Sequence, residues 1–214
     1  MVGKVRISYV LNENYFVVPG VSYKGETGTW NVFENLTGQV TQDELVEYSE
    51  KEKQKGNPYL MDLPLHFAVF LAAYKLRNGQ DAKRLRAFLQ NSLRRHLHTL
   101  TRIAYNPDGI DEAMHNYGTS EQYSLKGTII GPDQWIKDME DKKTLEILLS
   151  TEDVVQINNV FKWISKKNGY ICRVNLPTKE DEEAVRLYAG DDRFYLDCGK
   201  LGGACPAIRV MRVD

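Results

Sequence analysis

The segment 161–189 constrains the fold more than any other, because it carries several structural signals within fewer than thirty residues. Its first residues complete an amphipathic helix that ends at Asn168-Gly169, and residues 170–176 predict a strand. Pro177 then predicts the first turn of a further helix, which Gly190 ends. A helix, a strand and a helix in succession indicate a chain of the α+β class. The apolar stripe of the first helix consists of Ile157, Val160, Phe161 and Ile164.

Short strands dominate the N-terminal region. Residues 4–10 alternate apolar and polar side chains, and with residues 15–18 they predict a hairpin that Pro19-Gly20 closes. Residues 29–33 predict a third short strand. Residues 42–55 are polar and predict a solvated helix or a mobile connector.

Two helices are predicted next. Asp62, followed closely by a proline, predicts a capped helix start, and residues 65–76 are apolar on nearly every side, so this helix should be buried. Asn78-Gly79 ends it, and Asp81 predicts the cap of a second helix. A link this short predicts an antiparallel helical hairpin. The apolar face of the second helix holds Leu85, Phe88, Leu89, Leu93, Leu97, Leu100 and Ile103.

This predicted hairpin is locally basic, with eight Lys or Arg residues against one acid between residues 75 and 102. Clustered positive charge attracts phosphate, so a nucleic-acid-binding module is one hypothesis. A solvated face, offset by the acids of residues 43–52, is favoured because no base-reading motif accompanies the charge. On a helix His96 and His98 would point to nearly opposite sides, so we expect no shared metal ion.

The sequence from Asn106 to Gly109 is a strong turn signal and the best candidate for a domain boundary. It separates residues 1–105, which hold the strands and the helical hairpin, from residues 106–214. One continuous domain is the alternative. We interpret His115, in the polar stretch that follows, as structural rather than catalytic.

Composition excludes several classes of protein. Of the 214 residues, 42% are hydrophobic and 27% are charged, as in soluble globular proteins. With a formal net charge of -1, the chain has no overall positive charge that would attract nucleic acid. The longest apolar run, residues 67–74, is far shorter than the ~20 residues of a membrane span. We therefore expect no membrane partner. The charged N-terminus does not resemble a signal peptide, so we expect synthesis in the cytoplasm.

Residues 193–198 alternate apolar and polar side chains and predict a strand with one buried and one outward face. A rigid tyrosine beside an arginine and carboxylates is the chemistry of binding hot spots. Residues 199–206 predict a loop, and residues 208–213 predict a final strand. The predicted core face holds Phe194, Leu196 and Cys198. The predicted outer face holds Arg193, Tyr195 and Asp197.

The pattern Phe161-Lys-Trp-Ile-Ser, Asn168-Gly-Tyr, Leu176-Pro-Thr and the closing Ala207-Ile-Arg-Val resembles the C-type-lectin-like domain of the formylglycine-generating enzymes and their relatives. The resemblance covers residues 150–213. It implies a C-type-lectin-like domain, preceded here by the short β region and the helical hairpin. Two positions depart from the family pattern, with Asn175 in place of arginine and Glu182 in place of a core tryptophan.

The enzymes of this group oxidise a substrate cysteine with a copper-binding cysteine pair well upstream of the last strand. Here Cys198 and Cys205 lie almost on that strand, so an oxidase is the alternative rather than the preferred function. The better resemblance is to the non-catalytic branch, the variable proteins of diversity-generating retroelements, including receptor-binding proteins of phages and archaeal viruses. In these proteins the C-terminal part of the domain is a display surface.

The resemblance implies a variable ligand-binding surface in residues 188–205, with a protein or a surface glycan as the ligand. It also implies display on a virion or a cell surface. No cofactor is expected, and Asp191-Asp192 offers too few oxygen ligands for calcium. The chain's oligomeric state is left open. The ligand-binding residues so expected are Tyr188, Asp191, Asp192, Arg193, Tyr195, Asp197, Gly199, Lys200 and Leu201.

Overall fold

The computed structural model of the protein describes residues 5–10, 13–129, 133–172 and 177–213. Helices and strands are interleaved along these residues, which confirms the α+β class. The helices are α1 (Gln42–Gln54), α2 (Leu63–Lys75), α3 (Gln80–Ser92), α4 (Lys143–Leu149) and α5 (Val154–Ser165), with a 3-10 turn at Ile136–Asp138. The strands are β1 (Arg6–Val10), β2 (Glu13–Tyr23), β3 (Glu26–Phe33), β4 (Tyr59–Leu60), β5 (Leu97–Tyr105), β6 (Asp111–His115), β7 (Tyr123–Gly127), β8 (Gln134–Trp135), β9 (Asn168–Ile171), β10 (Asp181–Ala189), β11 (Arg193–Lys200) and β12 (Arg209–Arg212).

One sheet has five strands in the order β1-β2-β3-β12-β4. The hairpin turn between β2 and β3 lies at Lys24-Gly25, where both residues have positive φ angles of 50° and 80°, as a type I′ turn requires. The predicted turn at Pro19-Gly20 is wrong, because β2 continues through it with only a shift in register. The C-terminal strand β12 pairs with β3, so the two ends of the chain lie in one sheet.

The other sheet has seven strands in the order β7-β6-β5-β10-β11-β9-β8. Neighbouring strands are antiparallel except β9 and β11, which are parallel. The predicted second helix is correct only as far as Ser92, because residues 97–105 form strand β5, which has a neighbour on each side in the sheet. Nearly every side chain of β5 is buried, and apolar residues on both faces of a strand can imitate helical spacing. The predicted cap is also displaced, since Gly79 rather than Asp81 is the N-cap of α3.

The helix predicted after Pro177 is also wrong, because residues 181–189 form strand β10. This strand pairs with β11 on one side and with β5 on the other. Its alternating burial, with Val185 and Leu187 inside, fits a sheet, and the tertiary pairing overrides the local capping signal. The preceding predicted strand, residues 170–176, is present as β9, while residues 173–176 lie outside the described residues.

Helix α2 lies between the two sheets and is buried along most of its length, as its all-round apolar sequence predicts. Asp62 caps its N-terminus by accepting a hydrogen bond from the Leu65 amide at 2.9 Å, which confirms the predicted start. The predicted apolar stripe of α5 is buried as well, and Phe161 stacks on Phe194 of β11 with ring centroids 4.2 Å apart. Among the described residues, no helix combines the length and the apolar character needed to cross a membrane.

The turn from Asn106 to Gly109 joins the paired strands β5 and β6. The strands of the two predicted halves pair with each other, β10 with β5 and β12 with β3. These pairings fit the alternative of one continuous domain.

Candidate binding surface

The expected ligand-binding residues lie on the β10–β11 hairpin. As predicted, Phe194 and Leu196 are buried, whereas Arg193, Tyr195 and Asp197 are partly exposed on the opposite face of the sheet. Helix α5 packs against the buried face, so the other face is the one available to a ligand. The predicted alternation of β11 is therefore confirmed. The exposed turn of the hairpin contains Asp191 and Asp192.

Gly190 shapes this end of the hairpin. Its amide donates a hydrogen bond to the Arg193 carbonyl at 3.0 Å and closes the turn. A Cβ atom at this position would lie 2.8 Å from Tyr195 Cε2 and 3.2 Å from Tyr188 Cε1. The two tyrosine rings thus occupy space that any residue other than glycine would need.

Five ring-bearing side chains form a continuous line across the outer face of the sheet, which we call the aromatic row. Tyr188, Tyr195, Tyr170 and Trp135 occupy directly paired positions on β10, β11, β9 and β8, and paired positions bring side chains close together. At 4.8 Å per strand the row spans about 19 Å. Its successive ring centroids are separated by 4.3 Å (His96–Tyr188), 5.8 Å (Tyr188–Tyr195), 5.9 Å (Tyr195–Tyr170) and 5.2 Å (Tyr170–Trp135).

Three members of the row, His96, Tyr170 and Trp135, were not predicted as site residues. Tyr170 lies in a predicted strand, so its outward face was within reach of sequence reasoning. The parallel pairing of β9 with β11 depends on residues distant in sequence and leaves no local pattern. The sequence predicts a helix at His96. In the structure His96 directly precedes β5, and its ring stacks on Tyr188.

Arg193 lies over the Trp135 end of the row. Its guanidinium carbon is 4.4 Å from the ring centroid of Tyr170, 4.9 Å from that of Trp135 and 5.6 Å from that of Tyr195. Its Nε donates a hydrogen bond to Asp192 at 2.7 Å, and this bond lowers the pKa of Asp192. The arginine therefore holds the turn and the aromatic row in one arrangement.

Asp197 continues the outer face next to the row. Its carboxylate lies 3.6 Å from His96 Nδ1. Burial, together with the negative charge of Asp197, raises the pKa of Cys172 to about 12. This thiol is therefore protonated at neutral pH and is not a reactive nucleophile.

Gly199, Lys200 and Leu201 lie at the other end of the hairpin, so the structure does not bring them to the aromatic row. Lys200 lies five positions along the strand from Tyr195, a distance of about 17 Å. Here the Arg186 guanidinium covers Gly199 and donates a hydrogen bond to the Lys200 carbonyl at 2.7 Å. The expected site consequently divides into an aromatic end and an arginine-clamped end.

The cysteines of the alternative oxidase hypothesis, Cys198 and Cys205, are partly buried and buried, respectively. Cys198 Sγ is 3.1 Å from the hydroxyl of buried Tyr105, and burial raises the pKa of Cys198 to about 12. Cys205 is buried, and burial raises its pKa as well. All three cysteines are free thiols.

The basic residues between 75 and 102 do not form one surface. Arg102 is buried in β5, where its Nε donates to Gln42 Oε1 at 3.0 Å and its Nη2 pairs with Asp43 at 2.6 Å. These contacts dock α1 on the seven-stranded sheet. Of the two predictions for residues 42–55, a solvated helix or a mobile connector, the structure has the helix, over Gln42–Gln54. Arg94 lies beyond the end of α3 and is exposed. The basic residues of this segment are therefore divided between helices, the links between elements and strand β5.

Three histidines lie in the interior with their rings buried. His115 accepts a hydrogen bond from Thr101 Oγ1 at 3.0 Å and donates one to the Ile147 carbonyl at 2.9 Å, in keeping with a structural role. His98 donates from Nε2 to the Gly203 carbonyl at 2.8 Å. Burial lowers the pKa of His66, His98 and His115 to about 4.

The chain was compared with protein-family models, with curated proteins and with solved structures, and none of the three comparisons found a match.

Proposed function

We propose that the protein is a non-catalytic ligand-binding protein whose binding surface is the aromatic row together with the β10–β11 turn. In this proposal the scaffold is a C-type-lectin-like domain, similar to the variable proteins of diversity-generating retroelements. The ligand is a protein or a surface glycan. Support for the scaffold comes from the sequence resemblance around residues 161–176 and 207–210.

The observation that carries the proposal is the position of Arg193 over Tyr170, Tyr195 and Trp135. Tryptophan, tyrosine and arginine are the residues most enriched in binding hot spots, because they offer large contact areas with directional polar groups. Aromatic rings also lose little rotamer freedom when they are bound. A line of such rings on one sheet face suits a ligand of extended shape.

The placement of these residues also suits a surface that changes between versions of the protein. Their side chains lie on the face opposite the core, where Phe194 stacks on Phe161. Substitutions on the outer face can change the ligand without disturbing that packing. Surface substitutions of this kind usually change stability by less than about 0.5 kcal/mol.

An array of purified surface proteins and glycans, probed with the labelled full chain, tests the binding function. For a ligand found in this way, we expect Tyr195→Ala and Trp135→Ala each to raise the Kd at least tenfold, which corresponds to about 1.4 kcal/mol. Tyr74→Ala is the matched control, because Tyr74 also contacts an aromatic ring and an arginine, Trp163 and Arg77. Unchanged affinity in both row variants would overturn the proposal.

The proposed variability has a separate test in the DNA around the gene. We expect an imperfect copy of the segment that encodes residues 188–213, differing chiefly at adenines and lying near a reverse-transcriptase gene. Absence of any such copy would overturn the variable-protein part of the proposal. The binding function would still be tested by the array.

A further inference from the structure

A cavity of about 560 Å³ opens beside the aromatic row, between the C-terminal ends of α3 and α5 and the β10–β11 turn. Tyr188 belongs to both the row and the cavity wall, so a ligand on the row has direct access to this space. Ligand pockets usually have volumes of about 300–1,000 Å³. We call this space the basic cavity because its wall contains Arg94, Lys166 and Lys167.

The charges of the wall leave the basic cavity positive. Three cations face one carboxylate, Asp191, and the two helix ends add about half a negative charge each. The net charge of the cavity wall is therefore about +1. Within the described part of the chain, none of the three cations has a carboxylate within salt-bridge distance.

Basic residues near the ends of helices often bind the last carbonyl groups, and that structural role has to be compared with ligand binding. Lys167 has a structural role of a different kind, since its Nζ donates a hydrogen bond to the Asp191 carbonyl in the β10–β11 turn. The exposed side chains of Arg94 and Lys166 donate no hydrogen bond to any described residue, although their backbone amides continue the helix ends. These two cations are therefore available to a ligand.

The remaining wall residues indicate the chemistry of that ligand. Gln90 and Asn91 provide amide donors and acceptors, and Ser165 lines the same wall. The flat ring of Tyr188 lies beside them. Amides, a hydroxyl and an aromatic ring suit a polyhydroxylated ring, and the two available cations suit an acidic group on it.

We propose that the basic cavity binds the carboxylate-bearing sugar of an acidic glycan, whose remaining residues lie along the aromatic row. This inference rests on the proposed function and specifies its ligand. Arg94 and Lys166 bind the carboxylate, while Tyr188, whose ring faces contact His96 and Tyr195, meets the same sugar with its ring edge. An acidic peptide is the competing ligand, but among the described residues the only apolar side chains that the wall offers it are Tyr188 and Ala189.

Titration of the full chain with free N-acetylneuraminic acid, followed by ligand-observed NMR, tests the inference. We expect binding that weakens as salt is raised, and affinity at least tenfold higher than for galactose, which has no acidic group. A sulfated galactose forms a second arm, and stronger binding of the sulfated sugar would replace carboxylate by sulfate as the recognised group. Failure of both acidic sugars to bind overturns the inference.

Arg94→Gln and Lys166→Gln test the assigned residues, because they remove the positive charge and keep a polar side chain. We expect each to lower the affinity for the acidic sugar at least fivefold and to leave thermal unfolding unchanged, because both side chains are exposed. Arg84→Gln is the matched control and should bind like the parent, because Arg84 is exposed on helix α3, which also carries Gln90 of the cavity wall.

Equal binding of acidic and neutral sugars that still depends on Tyr195 would overturn the inference and keep the proposed function. For a longer glycan that ends in the acidic sugar, binding that is independent of Tyr195 and Trp135 would overturn the proposed function instead.

Discussion

Tyr188 and Tyr195 face each other across the β10–β11 hairpin with ring centroids 5.8 Å apart, and Gly190 leaves the space that both rings need. Tyr188 also stacks on His96 at 4.3 Å, and Tyr195 contacts Tyr170 at 5.9 Å. The two tyrosines therefore connect the ends of the aromatic row. Any change that moves one ring displaces its neighbours as well.

Gly190→Ala is expected to disrupt the row while leaving the fold stable. The new Cβ would lie 2.8 Å from Tyr195 Cε2, so the ring must rotate away, but this ring is partly exposed and can move. We expect a loss of less than about 1 kcal/mol in the free energy of unfolding, and a clear change in the near-ultraviolet circular dichroism. Gly38→Ala, where a Cβ would meet no atom within 4 Å, is the control. An unchanged aromatic spectrum in Gly190→Ala would contradict the described ring positions.

Gly203→Ala is expected to destabilise the protein more strongly. A Cβ there would lie 2.4 Å from Nη2 of Arg186, whose guanidinium donates to the Lys200 carbonyl. Displacing the guanidinium breaks that hydrogen bond, so we expect a loss of about 1 kcal/mol in denaturant titrations. Gly202→Ala is the neighbouring control, since its Cβ would meet nothing within 4 Å. Equal stability of the two variants would show that Arg186 does not clamp the loop.

The buried histidines predict sensitivity to acid. The folded-state pKa of about 4 for His66, His98 and His115 lies below the ordinary value of 6.5, so the unfolded chain takes up protons first as pH falls. Stability is therefore present above pH 6.5 and is lost as pH falls toward 4. Between pH 7 and pH 5 each histidine should lower the free energy of unfolding by about 2 kcal/mol.

Asp62 opposes this trend. Burial raises its pKa from 3.8 to about 6, so the folded chain binds the proton more tightly and gains about 1 kcal/mol between pH 7 and pH 5. Urea titrations at the two pH values should show a net loss on acidification. The loss should be smaller in His66→Gln and larger in Asp62→Asn. The opposite order of the two variants would contradict the assigned protonation states.

Arg102 is expected to be the most sensitive basic residue of the 75–102 segment. It is 3% exposed, binds Gln42 and Asp43, and lies 3.6 Å from the ring centroid of Tyr117. Arg102→Ala leaves the amide of Gln42 without this partner and should lower the free energy of unfolding by about 3 kcal/mol. Arg84→Ala, at an exposed position of α3, should change it by less than about 0.5 kcal/mol. Similar small effects in both variants would mean that Arg102 does not hold α1 on the sheet.

Local patterns were sufficient to predict the helices that have distinct caps. Asp62 and the stripe of α5 are examples, because capping and helical periodicity act within a few residues. The same patterns failed at β5 and β10, where burial on both faces of β5 imitates helical spacing and a proline with acids imitates a cap. Of the site, the outer face of β11 could be predicted from its alternation. Trp135 and Tyr170 join it only through pairing of distant strands, which the local sequence does not encode.

The cysteines provide a test between binding and oxidase chemistry. Burial raises the pKa of Cys172 and Cys198 to about 12, so only about one thiol in thirty thousand is ionised at pH 7.5. Because the thiolate is the reactive form, we expect alkylation by iodoacetamide in the folded protein to be at least a hundredfold slower than in denaturant, as followed by mass spectrometry. The denatured chain is the control, since all three thiols are exposed there. A cysteine that reacts equally fast in the folded protein would carry an accessible thiolate, the species that binds copper, and would favour the oxidase hypothesis over simple ligand binding.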